Sequence, residues 1–280
     1  MSLKLAAFEI LRACRASLPA RELAQRLFKS PCIPPSLSET LIATLFSQDE
    51  RFVRDNGERW RLSSVCLQSS LFHDFIELAS FCVVDVETTG GKPPADKITE
   101  LAAVRVQGGK QVGEFCALVN PGRPIPPFVA RLTGINDGMV EKMPSIEEVL
   151  ESFLSFLGES IFVAHHASFD RRFLNAALEE VGRLPMANPE LCSARLGRRF
   201  LPHVRSSSLD SLAAYFGIEI PYRHRAFGDA RATGELLLRY LEMAADFGIH
   251  SLSALLAFQK QARKQPRARR HRKKKQAASS

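Results

Sequence analysis

From residue 80 to residue 119 the chain runs in long apolar stretches broken by short polar ones. Ser80–Glu87 is apolar until Asp85. Ile98–Gln107 and Val112–Val119 are rich in β-branched residues, with Gly108-Gly109-Lys110 between them. This pattern predicts one buried strand followed by an antiparallel pair closed by a tight turn. After residue 145 the period changes to that of a helix over Ser145–Leu157, Ser168–Val181, Leu209–Phe216 and Ala226–Ala244, with one short apolar strand at Ile161–His165. Gly217 is placed to stop the third of these helices. A hairpin followed by alternating helices and strands predicts an α/β fold, a mixed sheet flanked by helices.

Residues 1–65 carry a different pattern. Leu5, Phe8, Ile10 and Leu11 suit an amphipathic helix over Leu3–Arg15. Ala20, Leu23, Ala24 and Leu27 suit a second, and SLSETLIATLF suits a third beginning near Ser36 or Ser38. Phe52 and Val53, a polar Asp55-Asn56-Gly57 turn, then Trp60 and Leu62 predict a β-hairpin. Three helices and a hairpin resemble a small winged-helix domain, a module that often binds duplex DNA through its third helix. Here that helix carries Glu39 and no Lys or Arg. A protein contact or a structural role is therefore as compatible with it as DNA binding. The expected organisation is a winged-helix-like domain at 1–65, a connector with a short helix at 66–78, an α/β domain at 79–244 and a C-terminal extension at 245–280.

Composition adds three constraints. A chain of 280 residues with 45% hydrophobic content can bury a sizeable core. No stretch of about 18 apolar residues occurs, so no membrane span is expected, and the N-terminal apolar positions read as a helix rather than a signal peptide. The six cysteines, at 14, 32, 66, 82, 116 and 192, include no CxxC, which predicts a reduced, cytoplasmic chain. The net charge of +8 is unevenly placed. Ten of the 38 basic residues lie in residues 260–280, which hold no acid, so 28 basic residues face 30 acidic ones in the remainder. Such a tail should be disordered and should bind polyanions.

Five residues carry the candidate chemistry: Asp85 and Glu87 in FCVVDVETTGG, Asp170 in FVAHHASFDRRFL, and His224 and Asp229 in HRAFGDARATGELL. Asp85 and Glu87 are two apart on a strand, so both project from one face at its end. Two carboxylates so placed repel each other unless a cation lies between them. Singly, each of the five has an ordinary explanation, such as an acid in the first turn of a helix for Asp170. Together, hard carboxylate oxygens without a thiolate cluster favour Mg²⁺ or Mn²⁺ over zinc, and several of them favour a two-metal site. A histidine beside such a site can take a proton from an attacking water.

The segments VDVETTG, AHHASFD and HRAFGDA resemble the three motifs of the DnaQ-like 3′–5′ exonucleases, in the subgroup of four acids and a histidine (DEDDh). That family includes the proofreading epsilon subunits of bacterial DNA polymerase III. The resemblance covers about residues 80–243. It implies a ribonuclease-H-like fold, two Mg²⁺ or Mn²⁺ ions held by Asp85, Glu87, Asp170 and Asp229, and His224 as general base. It also implies that Thr88 and Thr89, an LTGI-type loop at Leu132, Thr133 and Gly134, and Phe169 lie against the terminal nucleotide. One departure is His166, where an asparagine is common, which leaves the role of that position open. The implied substrate is a single-stranded or frayed DNA 3′ end, and a DNA polymerase subunit is an implied partner. A 3′–5′ exoribonuclease carries the same motifs, so RNA stays open. A non-catalytic nucleic-acid-binding scaffold would have no need of all five residues.

Overall fold

The computed structural model describes residues 3–14, 16–47, 49, 51–55, 59–63 and 76–261. The Asn56-Gly57 turn, most of the connector and all but the first two residues of the basic tail lie outside the described residues. The N-terminal elements are α1 (Leu3–Cys14), β1 (Leu18–Pro19), α2 (Ala20–Phe28), α3 (Pro35–Leu45), β2 (Phe52–Asp55) and β3 (Arg59–Leu62). The strands form an antiparallel sheet in the order β1-β3-β2. Helix α3 starts earlier than its serines suggest. Pro35 occupies the first turn, where its missing N–H costs nothing, and Ser38 spends its hydroxyl on the Pro34 carbonyl instead of capping. Phe8, Leu11, Leu23, Ile42 and Trp60 are buried here, with Phe46 stacked on Phe52 at 3.8 Å.

The larger sheet holds β4 (Phe81–Thr88), β5 (Ile98–Gln107), β6 (Lys110–Leu118), β7 (Ile161–Ala164) and β8 (Glu190–Cys192). Its order is β6-β5-β4-β7-β8. The first three strands are antiparallel, while β7 runs parallel to β4 and β8 parallel to β7. Alternation along the strands divides the core in two. Phe81, Val83, Val106, Ile161 and Val163 join a layer with α8 (Ser193–Phe200), α9 (Leu209–Phe216), α10 (Ala226–Asp246) and α11 (Leu252–Lys260). Cys82, Val84, Leu101 and Ala103 face α6 (Ile146–Leu157) and α7 (Ser168–Glu180) on the other side. Each helix presents its apolar stripe to one face of the sheet. Ser145 caps α6 through a capping box with Glu148, and Gly217 ends α9 at φ 68°.

Six elements have no counterpart in the sequence pattern: β1, α4 (Pro127–Thr133), the single turn α5 (Asp137–Val140), β8, α8 and α11. Helix α11 lies in the C-terminal extension expected at 245–280, for which the pattern predicts no element, and it lies against the edge strand β8. The Gln259 amide, 2% exposed, accepts from the Cys192 N–H at 2.9 Å and donates to the Glu190 carbonyl at 2.7 Å. An edge strand of three residues thus gains a side-chain partner for its backbone. The Gln259→Ala chain strands both backbone groups, and the expected loss is about 2 kcal/mol. Thermal unfolding should show this as a melting point lower by about 4–8 °C.

Candidate active site

Asp85 and Glu87 lie on the face of β4 that also presents Phe81 and Val83. Those two are in the core under α10, and the acids emerge beyond them at the strand's C-terminal end, half-buried. Asp85 is paired with Ala102 across the ladder and Glu87 with Glu100, with a bulge between Glu87 and Thr88. The methyl of Ala102 leaves room above β5 for α10. Ala226 and Ala230 of that helix pack on Ala102 and Val104, so small residues on both surfaces bring the helix start close to the sheet. Asp229 is in the first turn of α10 and is 4% exposed.

Glu100 fixes that helix end. It is 1% exposed, receives the Ala226 N–H at 2.8 Å and pairs with Arg225 at 2.6 Å. A buried carboxylate thereby takes one of the unpaired amides at the helix N-terminus, where negative charge is favoured. Gly228 permits the preceding loop to lie against the helix, because a Cβ there would sit 2.1 Å from the Pro221 carbonyl oxygen. Tyr222 and His224 in this loop both have left-handed backbone, φ 55° and 64°. His224 is half-buried rather than exposed, five residues before Asp229.

Asp170 comes from the opposite layer. It is in the first turn of α7, 3% exposed, and accepts the Val86 N–H at 3.1 Å, between the two acids of β4. The turn before α7 holds His166 at φ 63°. Asparagine and histidine are among the residues most tolerant of that conformation, so His166 satisfies the backbone requirement an asparagine would. His165 is turned inward. Its Nδ1 meets Ser193 Oγ at 2.8 Å, and burial pulls its pKa down to about 4.

Oxygens of Asp85, Glu87 and Asp229 lie within 4.8 Å of one another. Burial, then the neighbouring acids, pushes Asp85 well above the usual carboxylate range. The same causes move Glu87 to about 8, and burial moves Asp170 to about 8. Asp229 is raised by burial against the pull of Arg223 and His224, and its Oδ1 is buried without a hydrogen-bond partner. Mutually repelling carboxyls, with one orphaned oxygen, suit a hard divalent cation. The donor set fits the ions expected from the sequence.

The remaining sequence candidates lie on α4, on the end of β4 with the loop after it, and at the start of α7. Leu132 is 54% exposed on α4, while Thr133 is buried with its hydroxyl on the Val129 carbonyl, and Gly134 ends the helix at φ 72°. Thr88 Oγ1 bonds the Gly90 carbonyl, and Thr89 Oγ1 accepts the Lys97 N–H at 3.0 Å. Both threonine hydroxyls are therefore tied to the loop, Thr88 as donor and Thr89 as acceptor. Phe169 is half-buried against Phe173, ring centres 4.9 Å apart. Sequence reasoning missed Glu100, Arg225, Arg223 and Asp210. A usable signal for Glu100 was an acid within an otherwise apolar strand. Arg223 donates to Asp229 Oδ2 and pairs with Asp210 at 2.8 Å.

Comparison with known proteins places this geometry. A family model described as exonuclease, RNase_T, matches residues 82–237. A PolC-type DNA polymerase III of Bacillus subtilis is 41% identical over 178 residues, 63% of this chain and 12% of that protein. The DNA polymerase III epsilon subunit of Aquifex aeolicus is 39% identical over 163 residues, 58% of this chain and 81% of the subunit. This chain thus spans a small part of the polymerase and most of the epsilon subunit. Among solved structures, exonuclease X in complex with 5′ overhanging duplex DNA aligns with a TM-score of 0.53 at 28% identity, covering 64% of this chain and 99% of that one. The sheet order, the acids converging on the end of β4 and these matches agree: the chain belongs to the RNase_T family of exonucleases.

Proposed function

We propose that the protein is a metal-dependent 3′–5′ exonuclease that shortens DNA from its 3′ end and releases nucleoside 5′-monophosphates. The observation that carries this reading is the meeting of Asp85, Glu87 and Asp229 within 4.8 Å, with Asp170 bonded to the strand amide between them. Two relatives support it: one is a subunit of a DNA polymerase, and one is an exonuclease in complex with duplex DNA.

Asp85, Glu87, Asp170 and Asp229 would hold two Mg²⁺ or Mn²⁺ ions, which when bound supply Lewis-acid stabilisation of the attacking and leaving oxygens. The chain's own groups do the rest. His224 accepts the proton of the attacking water, whose oxygen bonds to the last phosphorus as the 3′ oxygen of the next nucleotide departs with the bonding electrons. Exposed Leu132 on α4 and Phe169 beside Asp170 supply apolar surface for the terminal nucleoside, and backbone at Thr88 and Thr89 lines the approach. A paired end must unstack to enter, so single-stranded or frayed ends are preferred.

The flanking segments extend the reading. Residues 1–65 are read as a winged-helix unit, followed by a connector at 66–78, the nuclease at 79–244 and an extension at 245–280. Helix α3 offers no basic side chain, and Arg54 and Arg59 of the hairpin are held by Glu39 and Ser17. A structural or protein-contact role fits this unit better than base readout. The nine basic residues of 262–280 add sequence-independent affinity for nucleic acid.

Three outcomes follow. With 5′-labelled DNA and RNA of matched sequence, Mg²⁺ should give a ladder shortening from the 3′ end of DNA, abolished by EDTA. In that assay His224→Ala should be slower by about 10²–10⁴-fold, and Asp85→Asn by at least about 10²–10³-fold. Shortening of RNA alone would move the substrate assignment, and shortening of neither would remove the enzymatic reading.

The raised carboxyls also make a stability prediction. Glu87 and Asp170 stay protonated in the fold up to about pH 8, but in the unfolded chain only to about pH 4. The folded chain thus binds more protons across that window, so stability falls as pH rises through it. In EDTA the melting point should be lower at pH 8 than at pH 5. Mn²⁺ should reverse the loss, and Asp85→Asn should raise the metal-free melting point at pH 8 while it destroys activity. A melting point that rises from pH 5 to pH 8 in EDTA would contradict this.

Finally, removal of residues 262–280 should flatten the salt dependence of DNA binding, measured by fluorescence anisotropy from about 50 to 200 mM salt. Turnover of short oligonucleotides at low salt should persist.

A further inference from the structure

Arg223 stands in an unusual place for a cation. Its Nη1 donates to Oδ2 of Asp229 and lies 3.4 Å from His224 Nδ1. Its Nε and Nη2 face the two oxygens of Asp210 at 2.8 and 3.4 Å. The guanidinium therefore bridges an exposed carboxylate on α9, 63% accessible, and a buried one in the metal cluster, 5% accessible. The residues on either side of it, Tyr222 and His224, both have left-handed backbone. That conformation is costly for non-glycine residues, and here it flanks Arg223 on both sides.

This arrangement has two electrostatic consequences. A positive charge on Asp229 relieves repulsion among the four acids when no other cation is present. The same charge opposes a divalent ion, because the two compete for one carboxylate and repel each other at short range. Arg225 cannot play this part, since Glu100 holds it. Asp210 does not bind Arg223 at the cluster's expense: it grips the Nε side and leaves Nη1 to exchange partners. A phosphate monoanion or diester suits that exchange, since a guanidinium fork matches two phosphate oxygens.

We propose that Arg223 is a phosphate-binding residue held in reserve: its Nη1 neutralises Asp229 while no nucleic acid is bound and passes to the phosphate of the incoming 3′ terminus. The transfer couples substrate entry to divalent-ion binding. With Arg223 on Asp229, the site takes its ions weakly. With Arg223 on a phosphate, Asp229 is released and the site takes them tightly, so the two ligands favour each other's binding. This deepens the exonuclease reading and rests on it.

The test is calorimetric titration of Mn²⁺ into the full chain and into Arg223→Gln, each with and without thymidine 5′-monophosphate. Without nucleotide, Arg223→Gln should bind Mn²⁺ about five- to tenfold more tightly, the size expected for removing a partly screened neighbouring charge. The nucleotide should tighten Mn²⁺ binding to the unaltered chain by a larger factor than it does for the variant. If Arg223→Gln binds Mn²⁺ no more tightly, or if the nucleotide acts equally on both, Arg223 is a fixed structural ion pair and the inference fails while the metal site stands. If the unaltered chain binds no Mn²⁺ at all, the exonuclease reading fails and this inference falls with it.

Discussion

Four carboxyl groups at the end of one strand cannot all carry charge in a half-buried pocket without a cation among them. That repulsion governs the rest of the site. Burial first, and then that repulsion, lifts Asp85 well above the ordinary carboxylate range and moves Glu87 to about 8. It also accounts for Arg223 on Asp229, since the fold supplies a positive charge of its own to the cluster. A cluster that is unfavourable alone and favourable with divalent ions stores part of its folding energy as metal affinity.

Holding such a cluster together requires rigid supports, and the supports come from three directions. The central strand β4 sets Asp85 and Glu87 on one face. Helix α7 enters from the opposite layer and ties Asp170 to the Val86 amide. Helix α10 is clamped to β5 by Glu100, which takes the first amide of the helix and the side chain of Arg225. Ala102, Ala226 and Ala230 make the close approach of helix and sheet sterically possible. A larger residue at any of these positions would push Asp229 away from β4, so the small side chains belong to the site as much as the acids do.

Much of this was legible in the sequence. An i, i+2 acid pair at the end of an apolar run fixes two carboxylates on one face of a strand, and the structure has them there. The long helices were legible because their apolar stripes repeat over three turns or more. The serine at position 145 marks the start of one of them, and the glycine at 217 ends the shorter α9, as capping chemistry requires. Glu100 stands out in ITELAAV as an acid within an apolar strand, but its clamp on α10 was not legible, because its partner Arg225 lies 125 residues away. Strand β8 is three residues long and takes its identity from β7 and Gln259 rather than from its own pattern. The Arg223 bridge depends on α9 and the loop before α10 meeting in space, which no local period encodes.

The central claim is that Asp85, Glu87, Asp170 and Asp229 form one site for two divalent ions. Anomalous diffraction from crystals soaked in MnCl₂ addresses it most directly. Two manganese peaks at the end of β4, one or both lost in Asp85→Asn, are the predicted result. Anomalous density absent from that cluster, or present there unchanged in Asp85→Asn, would contradict it.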